Sequence, residues 1–211
     1  MTCAVVLAAG LSRRMGPGVQ KLLLPFAGST VIGHVVGQVL AAPVDQVIVV
    51  TGRDARVAAA ASAAGRGVTV VVNEAVDDDM LGSARCGLRA LPAGCDAVLL
   101  VPGDQASITS GLVRRVIGAF ATGGHRIVVP AYKGRRGHPL LFAAGYAPQV
   151  LSGYDGVGVR GLLRSHPDDV FELDVDDPGV IHDVDLPGDY ERELARLARF
   201  ARTSDAPPGR E

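Results

Sequence analysis

Ala4-Val5-Val6-Leu7-Ala8-Ala9-Gly10-Leu11-Ser12-Arg13-Arg14-Met15-Gly16, with Lys21 five positions further on, is the stretch whose reading decides the fold. Its first five residues, Ala4–Ala8, form a short unbroken apolar run. A run of this length, rich in valine, suits a strand covered on both faces, as in a parallel sheet. A loop of small residues follows, with two fixed cations, Arg14 and Lys21. Small side chains let backbone N–H groups approach a phosphate, and the cations complete a cradle for a polyphosphate. Spacing excludes two other phosphate loops. The dinucleotide fingerprint needs glycine at its first, third and sixth positions, and here the third is Ser12 and the sixth Met15. The P-loop needs serine or threonine directly after its lysine, and Lys21 is followed by Leu22.

The same rhythm recurs outward from this stretch. Further strands are expected at Gln46–Val50, Val68–Val72, Ala97–Val101 and Arg126–Pro130, with helices at Val31–Ala41, Arg53–Ala64, Leu81–Ala90 and Leu112–Ala121. This alternation predicts an α/β fold: three layers, αβα, around a mostly parallel, Rossmann-like sheet with right-handed crossovers. Ligands of such sheets gather at the carboxyl ends of the strands, where Gly10 and Gly103-Asp104 fall. After Pro130 the rhythm breaks. Tyr132–Pro139 reads as a polar, glycine-rich loop, followed by a short strand at Leu140–Phe142 and a short helix at Gly161–Ser165. A strand at Phe171–Val175 and a closing helix at Gly188–Phe200 complete the pattern. The expectation is one domain over residues 1–202 and a disordered tail at Thr203–Glu211.

Composition narrows the function classes. A net charge of −1 and a 4% aromatic content give neither a field nor a stacking platform for nucleic acid, nor a field for an anionic membrane. Cys3, Cys86 and Cys95 form no C-x-x-C pair, which argues against zinc and dithiol chemistry. Cys3 reads as a small buried thiol. The N-terminal stretch lacks a basic n-region, and its apolar run is too short for a signal peptide or a membrane span. A reducing cytoplasm is the expected location.

Carboxylates sit at two informative places. Val101-Pro102-Gly103-Asp104-Gln105 ends an apolar strand with an acid. Asp104 is either a turn-capping residue or a magnesium ligand, since Mg²⁺ takes one or two carboxylates plus phosphate oxygens. In Asp183-Val184-Asp185-Leu186-Pro187-Gly188-Asp189, alternation puts Asp183 and Asp185 on one face. Either could face a metal, with Asp185 preferred, and Asp185 could equally cap the helix that Pro187 opens. Asp77-Asp78-Asp79 reads as a solvated helix entry favouring acidic residues.

These motifs, in this order, resemble those of the nucleoside triphosphate transferases that build the molybdenum cofactor, the molybdopterin cytidylyltransferase-like family. Its G-x-S-x-R-M-G loop with a later lysine and L-P pair is matched from Gly10 to Pro25, and its D-x-D-T-P-x-D segment is resembled from Asp183 to Asp189, with Leu186 at the threonine position. Its R-x-G-H-P-x-x-F element is matched from Arg135 to Phe142. The resemblance covers Ala4 to about Tyr190 and implies a fold of the nucleotide-diphospho-sugar transferase type. It implies a nucleotide site at Leu7, Ala8, Ala9, Gly10, Ser12, Arg14, Gly16, Lys21, Asn73, Ser83 and Gly103, with the backbone from Leu7 to Gly10 facing the base. It implies catalytic roles for Arg14, Lys21 and Asp104, Mg²⁺ held by Asp104 and Asp185, and a substrate site at Arg136, Gly137 and His138, the arginines holding a phosphate. The chain departs from the family at Ala106, usually proline, at Asp79, usually glycine, and in the longer loop between Gly16 and Lys21. Leu7-Ala8-Ala9-Gly10 matches the cytidylyl-transferring relatives, and the Ala9 methyl would crowd a purine more than a pyrimidine. The implied substrates are therefore CTP, favoured over GTP, and molybdopterin, with a molybdoenzyme maturation partner as a further implication. Three alternatives stand beside this: a sugar phosphate or methylerythritol phosphate as acceptor, an NAD(P)H- or flavin-dependent reductase, and a binding module whose site has been disabled. His34, His125, His166 and His182 fit no comparable constellation.

Overall fold

The computed structural model describes residues 1–75 and 79–204. The chain enters through β1 (Thr2–Ala8), whose central residues are buried on both faces as its apolar run predicts. A small hairpin, β2 (Pro25–Phe26) and β3 (Ser29–Thr30), leads into α1 (Val31–Leu40). Then come β4 (Gln46–Thr51), α2 (Ala55–Ala63), β5 (Val68–Val72), α3 (Met80–Arg89), β6 (Ala97–Pro102), α4 (Ser110–Gly123) and β7 (Ile127–Tyr132). The less regular part holds β8 (Arg135–Arg136), β9 (Leu140–Ala143), α5 (Ala147–Ser152), α6 (Arg160–Ser165), β10 (Val170–Asp174) and α7 (Pro187–Ser204).

The main sheet runs β10-β7-β9-β6-β1-β4-β5, with β8 paired to β7. β1, β4, β5 and β6 are mutually parallel, as is the β7–β10 pair, and β9 is antiparallel to both of its neighbours. This is the expected α/β, mostly parallel architecture. One apolar cluster joins α1 and α4 to one face of the sheet, and a second joins α3, α5 and α6 to the other. α3 lies close on β1, because a Cβ added at Gly87 would stand 2.3 Å from Val5 Cγ1. The helix starts follow from capping chemistry: Thr30, Asp54, Asp79 and Thr109 each accept a backbone N–H from the first turn of the helix they precede. Each cap of this kind stabilises its helix by about 1 kcal/mol.

Departures from expectation are local. Tyr132 belongs to β7, and Arg135-Arg136 return as β8, so the expected open loop is a tight hairpin across Lys133-Gly134. Both turn residues are left-handed, with φ 49° and 75°. α5 and the β2–β3 hairpin carry too few residues for periodicity to register. The last helix reaches Ser204, two residues into the expected tail. Asp77, Asp78 and residues 205–211 lie outside the described residues. Cys3 is fully buried in β1, and burial pushes its thiol up to about 12. Among the described residues no helix is long and apolar enough to cross a membrane.

Candidate active site

The carboxyl ends of β1, β5 and β6 open into one cleft of about 430 Å³. Leu7, Ala9, Gly10, Ser12, Arg14 and Lys21 line it from the first loop, Asn73 and Ser83 from the β5–α3 side, and Asp104, Asp183 and Asp185 from the far side. Three of the expected nucleotide residues stand outside this lining. Ala8 is 3% exposed and faces the core. Gly16, left-handed at φ 100°, lines an adjoining shallow depression. Gly103 lets the end of β6 press on β1: its N–H donates to Leu7 O at 2.8 Å, and a Cβ there would meet that same oxygen.

The loop holds itself in shape. Ser12 is left-handed at φ 53°, and its hydroxyl donates to Gln20 Oε1 at 2.5 Å and accepts the Lys21 N–H at 3.0 Å. The Gln20 amide reaches Gly10 O at 3.4 Å. The Ser12 hydroxyl is thus committed to closing the loop and placing Lys21. Gln20 was not singled out by the sequence, since a polar residue before a lysine carries no motif. Lys21 is 7% exposed, and its ammonium meets Asp104 Oδ2 at 2.5 Å and Asp185 Oδ1 at 2.8 Å. Burial pulls its pKa down, but the two carboxylates outweigh burial and hold it above the ordinary lysine value. Arg14, largely solvent-exposed, pairs with the other oxygen of Asp185 at 2.9 Å. On the opposite wall the Asn73 amide donates to the Ser83 hydroxyl at 3.3 Å.

The second acidic segment is tied to the first. Val184 N–H donates to Asp104 O at 3.1 Å, and Asp189 accepts the backbone N–H groups of Asp185 and Leu186 at 3.2 and 2.8 Å. Gln105 and Ser107 both donate to Gly179 O, at 2.9 and 2.6 Å. The next carbonyl, Val180 O, accepts the His138 N–H at 2.8 Å. Gly137 is required beside it, for a Cβ there would stand 2.0 Å from Val180 O. Asp183 is pushed up to about 6, first by burial of its carboxyl and then by the charges of Asp104 and Asp185.

His138 adjoins this acidic group. Burial brings it down to about 4, against a smaller upward pull from Asp104, so the imidazole is neutral at pH 7. Its Nδ1 is buried and has no hydrogen-bond partner among the described residues. Arg136 lies outside the cleft lining, on β8, and pairs with Glu172 of β10 at 2.8 Å. A different cation makes itself felt here: the charge of Arg160, the smallest of the influences on each, lowers the pKa of both His138 and Asp183. Sequence reading passed over Arg160. Its signal was the glycine spacing of Gly156-Val157-Gly158, just ahead of the arginine.

Asp104 and Asp185, whose oxygens converge on the Lys21 ammonium from two segments, could hold a hard divalent cation if the lysine gave way to it. Among the described residues no group of three or more His, Cys, Asp or Glu forms a closed metal cage. A two-carboxylate site that leaves positions for phosphate oxygens is therefore the arrangement this cleft can offer.

Residues 4–170 match the family of MobA-like NTP transferase domains, and the chain belongs to that family. A nucleotidyl transferase from Methanothermobacter has 32% identity and a TM-score of 0.81, over 95% of this chain and 99% of that one. Rv0371c from Mycobacterium tuberculosis has 32% identity and a TM-score of 0.78, over 92% and 97%, and has also been solved in complex with manganese. Among curated relatives, the bifunctional protein GlmU of Sinorhizobium medicae is 34% identical over 163 residues, 75% of this chain but only 34% of GlmU. The chain thus spans about a third of the GlmU proteins that it matches. Nicotine blue oxidoreductase of Paenarthrobacter nicotinovorans is 32% identical over 189 residues, 86% of this chain and 90% of that protein.

Proposed function

From this family membership and the geometry of the cleft, we propose that the protein is a magnesium-dependent cytidylyltransferase. It moves CMP from CTP onto the terminal phosphate of a molybdopterin-type acceptor and releases pyrophosphate. The observation that carries the reading is Lys21, a buried ammonium joined to two carboxylates at the end of a self-closed glycine loop. That set supplies a cation for a triphosphate and oxygen ligands for a metal within one cleft.

Leu7, Ala9 and Gly10 would seat the base with Asn73 and Ser83, and the nearby backbone at Ala8, Gly16 and Gly103 would shape the turns that bring them there. Arg14 and Lys21 would neutralise the triphosphate, Lys21 exchanging a carboxylate for phosphate oxygens. Asp104 and Asp185 would hold Mg²⁺, which would supply neutralisation of the charge that develops on the phosphates. An oxygen of the acceptor phosphate attacks the α-phosphorus, the bond to the β-phosphate breaks, and pyrophosphate leaves with the electron pair. The protein's part is alignment and charge neutralisation, with no covalent intermediate. His138 would donate or accept a hydrogen bond through the Nδ1 that lacks a protein partner, and Arg160 would attract the acceptor's charge. Arg136 could serve the acceptor only by giving up Glu172.

A second reading rests on one observation, the 32% identity with nicotine blue oxidoreductase along nearly its whole length. In that case the cleft would seat a nicotinamide or flavin nucleotide. One assay separates the two. The purified protein, given CTP, Mg²⁺ and molybdopterin, should release pyrophosphate and should leave NADH and NADPH absorbance unchanged. NAD(P)H oxidation without pyrophosphate release would replace the transferase by the reductase.

A further inference from the structure

Arg85 sits on α3, two residues beyond Ser83, and joins the wall of the nucleotide cleft to a separate segment. Its guanidinium spans the end of α5 and the turn that follows it. Nε donates to Val150 O at 3.0 Å, Nη2 to Gly153 O at 2.7 Å, and Nη1 pairs with Asp155 Oδ1 at 2.8 Å. The Arg85 side chain is 18% exposed, against 76% for Asp155, so the anchor is the more enclosed partner.

The segment it grips has an unusual backbone. Tyr154, Gly156 and Gly158 are all left-handed, with φ 72°, 72° and 74°. The left-handed region is disfavoured for a residue with a side chain, so Tyr154 must be held there by its surroundings. Gly161 permits this, since a Cβ at that position would stand 2.3 Å from the Tyr154 ring. The turn ends at Val159, buried in the same cluster as Leu140 and Val129, and then at Arg160, which opens α6. One helix therefore lines the nucleotide side with Met80 and Ser83 and, two residues beyond Ser83, fixes the segment that ends at Arg160, whose charge is felt at His138.

We propose that Arg85 is a positioning residue that couples the two substrate sites: nucleotide bound against α3 steadies the Gly153–Arg160 segment, and with it the cation that meets the acceptor. This rests on the reading that the acceptor docks beside His138 and Arg160. A planar fork addressing two carbonyls and one carboxylate cannot be reproduced by a single ammonium, so Arg85→Lys keeps the charge while losing the geometry.

The test compares wild type, Arg85→Lys and Arg85→Ala by amide hydrogen exchange, with and without CTP–Mg²⁺, alongside CTP calorimetry and kinetics with molybdopterin. In wild type, CTP–Mg²⁺ should slow exchange across residues 153–160. In both variants exchange there should quicken by about tenfold or more, and the CTP-induced slowing should vanish, as expected of a segment cut loose from its anchor. CTP affinity and kcat should stay within about twofold while acceptor KM rises about fivefold or more, the scale of a lost charge-assisted contact. Unchanged exchange across 153–160 in the variants would overturn the proposal. So would a fall in CTP affinity or kcat with acceptor KM unmoved. If Arg85→Ala does not fold, Arg85→Lys carries the comparison. If wild type transfers nothing to molybdopterin, the functional reading fails while the exchange arm still decides the coupling.

Discussion

Between Leu7 and Lys21 the cleft is made by one continuous stretch whose parts bond to one another, Gln20 to Ser12 and Gly10, Ser12 to Lys21. The acceptor side has no such stretch. It draws on His138 after β8, Asp183 before α7 and the charge of Arg160 after α5, and it is held by contacts far apart in sequence: Val180 O on His138, Gln105 and Ser107 on Gly179, Arg85 on the turn at Gly153. The difference is between local and borrowed order. The triphosphate loop is shaped largely by its own bonds and reaches out through Lys21 and Arg14 to Asp104 and Asp185, whereas the acceptor side exists only once the whole sheet and its last strap have assembled. Substitutions should therefore act on chemistry in the first region and on acceptor recognition and stability in the second.

The largest effect tests the first half of that contrast. Asp104→Asn should lower pyrophosphate release from CTP by about a thousandfold or more, because losing a metal-binding carboxylate costs several kcal/mol of transition-state stabilisation. Its melting temperature should change little, since Lys21 keeps Asp185 and the Asp104 carbonyl still receives Val184 N–H. Turnover near the wild-type rate in the folded variant would remove Asp104 from the mechanism.

The same contrast explains what could be read in advance. Repeating strand and helix periods announced the sheet, because β1, β4 and β6 are short, apolar and buried at most positions, and the part-exposed edge strand β5 is still an unbroken run of valine and threonine. The triphosphate loop was legible because its residues are contiguous. The acceptor side was legible only in part. His138 stood out between glycine and proline, but Arg160, at the start of α6, gained meaning only because its charge is felt at His138 in the folded chain. Arg136, two residues before the same histidine, is paired with Glu172 of β10. Sequence proximity and spatial role separate where β8 ends, because Arg136 is still paired to β7 while His138 is already held by Val180 O.

That separation gives the next test. Arg160→Ala should raise the acceptor KM by about tenfold or more, since a charge-assisted contact to a phosphate is worth roughly 1.5–3 kcal/mol. CTP affinity should hold. Arg136→Ala should change acceptor KM by less than about threefold, as expected for loss of a half-exposed ion pair. Steady-state kinetics at saturating CTP compare the two. If Arg136→Ala gives the larger effect, the phosphate is held on β8 and the assignment of cations reverses.

A smaller effect lies in the pH dependence of folding, measured as urea midpoints between pH 4 and 7 with EDTA present. His138 is held at about 4, below its ordinary value of 6.5. Below pH 6.5 the unfolded chain takes up a proton that the folded imidazole refuses, so stability falls as pH falls towards 4, by about 2 kcal/mol. Asp183, at about 6, has the opposite sign. The folded chain keeps a proton that the unfolded chain releases, so stability rises as pH falls from 6 to 4. Although its carboxyl is desolvated at the cleft wall, Asp183 as a residue is solvent-exposed, and screening limits its share to under about 1 kcal/mol. Relative to wild type, Asp183→Asn should be more stable at pH 7 and lose stability more steeply on acidification. His138→Gln should lose it less steeply, and a slope identical to wild type would show that the imidazole is not held neutral by the fold.

The smallest effect concerns the base. Ala9 is fixed from behind, because the Gly52 position after β4 lies against its backbone: a Cβ at Gly52 would come within 3.2 Å of Ala9 O. The Ala9 methyl therefore cannot retreat when a base enters, and the cleft should prefer the smaller pyrimidine ring. One methyl in a pocket discriminates by about 1–3 kcal/mol, so wild type should bind CTP at least about fivefold more tightly than GTP. Ala9→Gly should narrow that ratio mainly by improving GTP. Its effect should be confined to the nucleotide, with acceptor KM unchanged, because the triphosphate loop is bonded chiefly to itself. Calorimetry with each triphosphate and Mg²⁺ measures the ratio. Equal affinities in wild type would dismiss the methyl as a selector, and a shift of acceptor KM in Ala9→Gly would show that the two halves of the cleft are less independent than their construction implies.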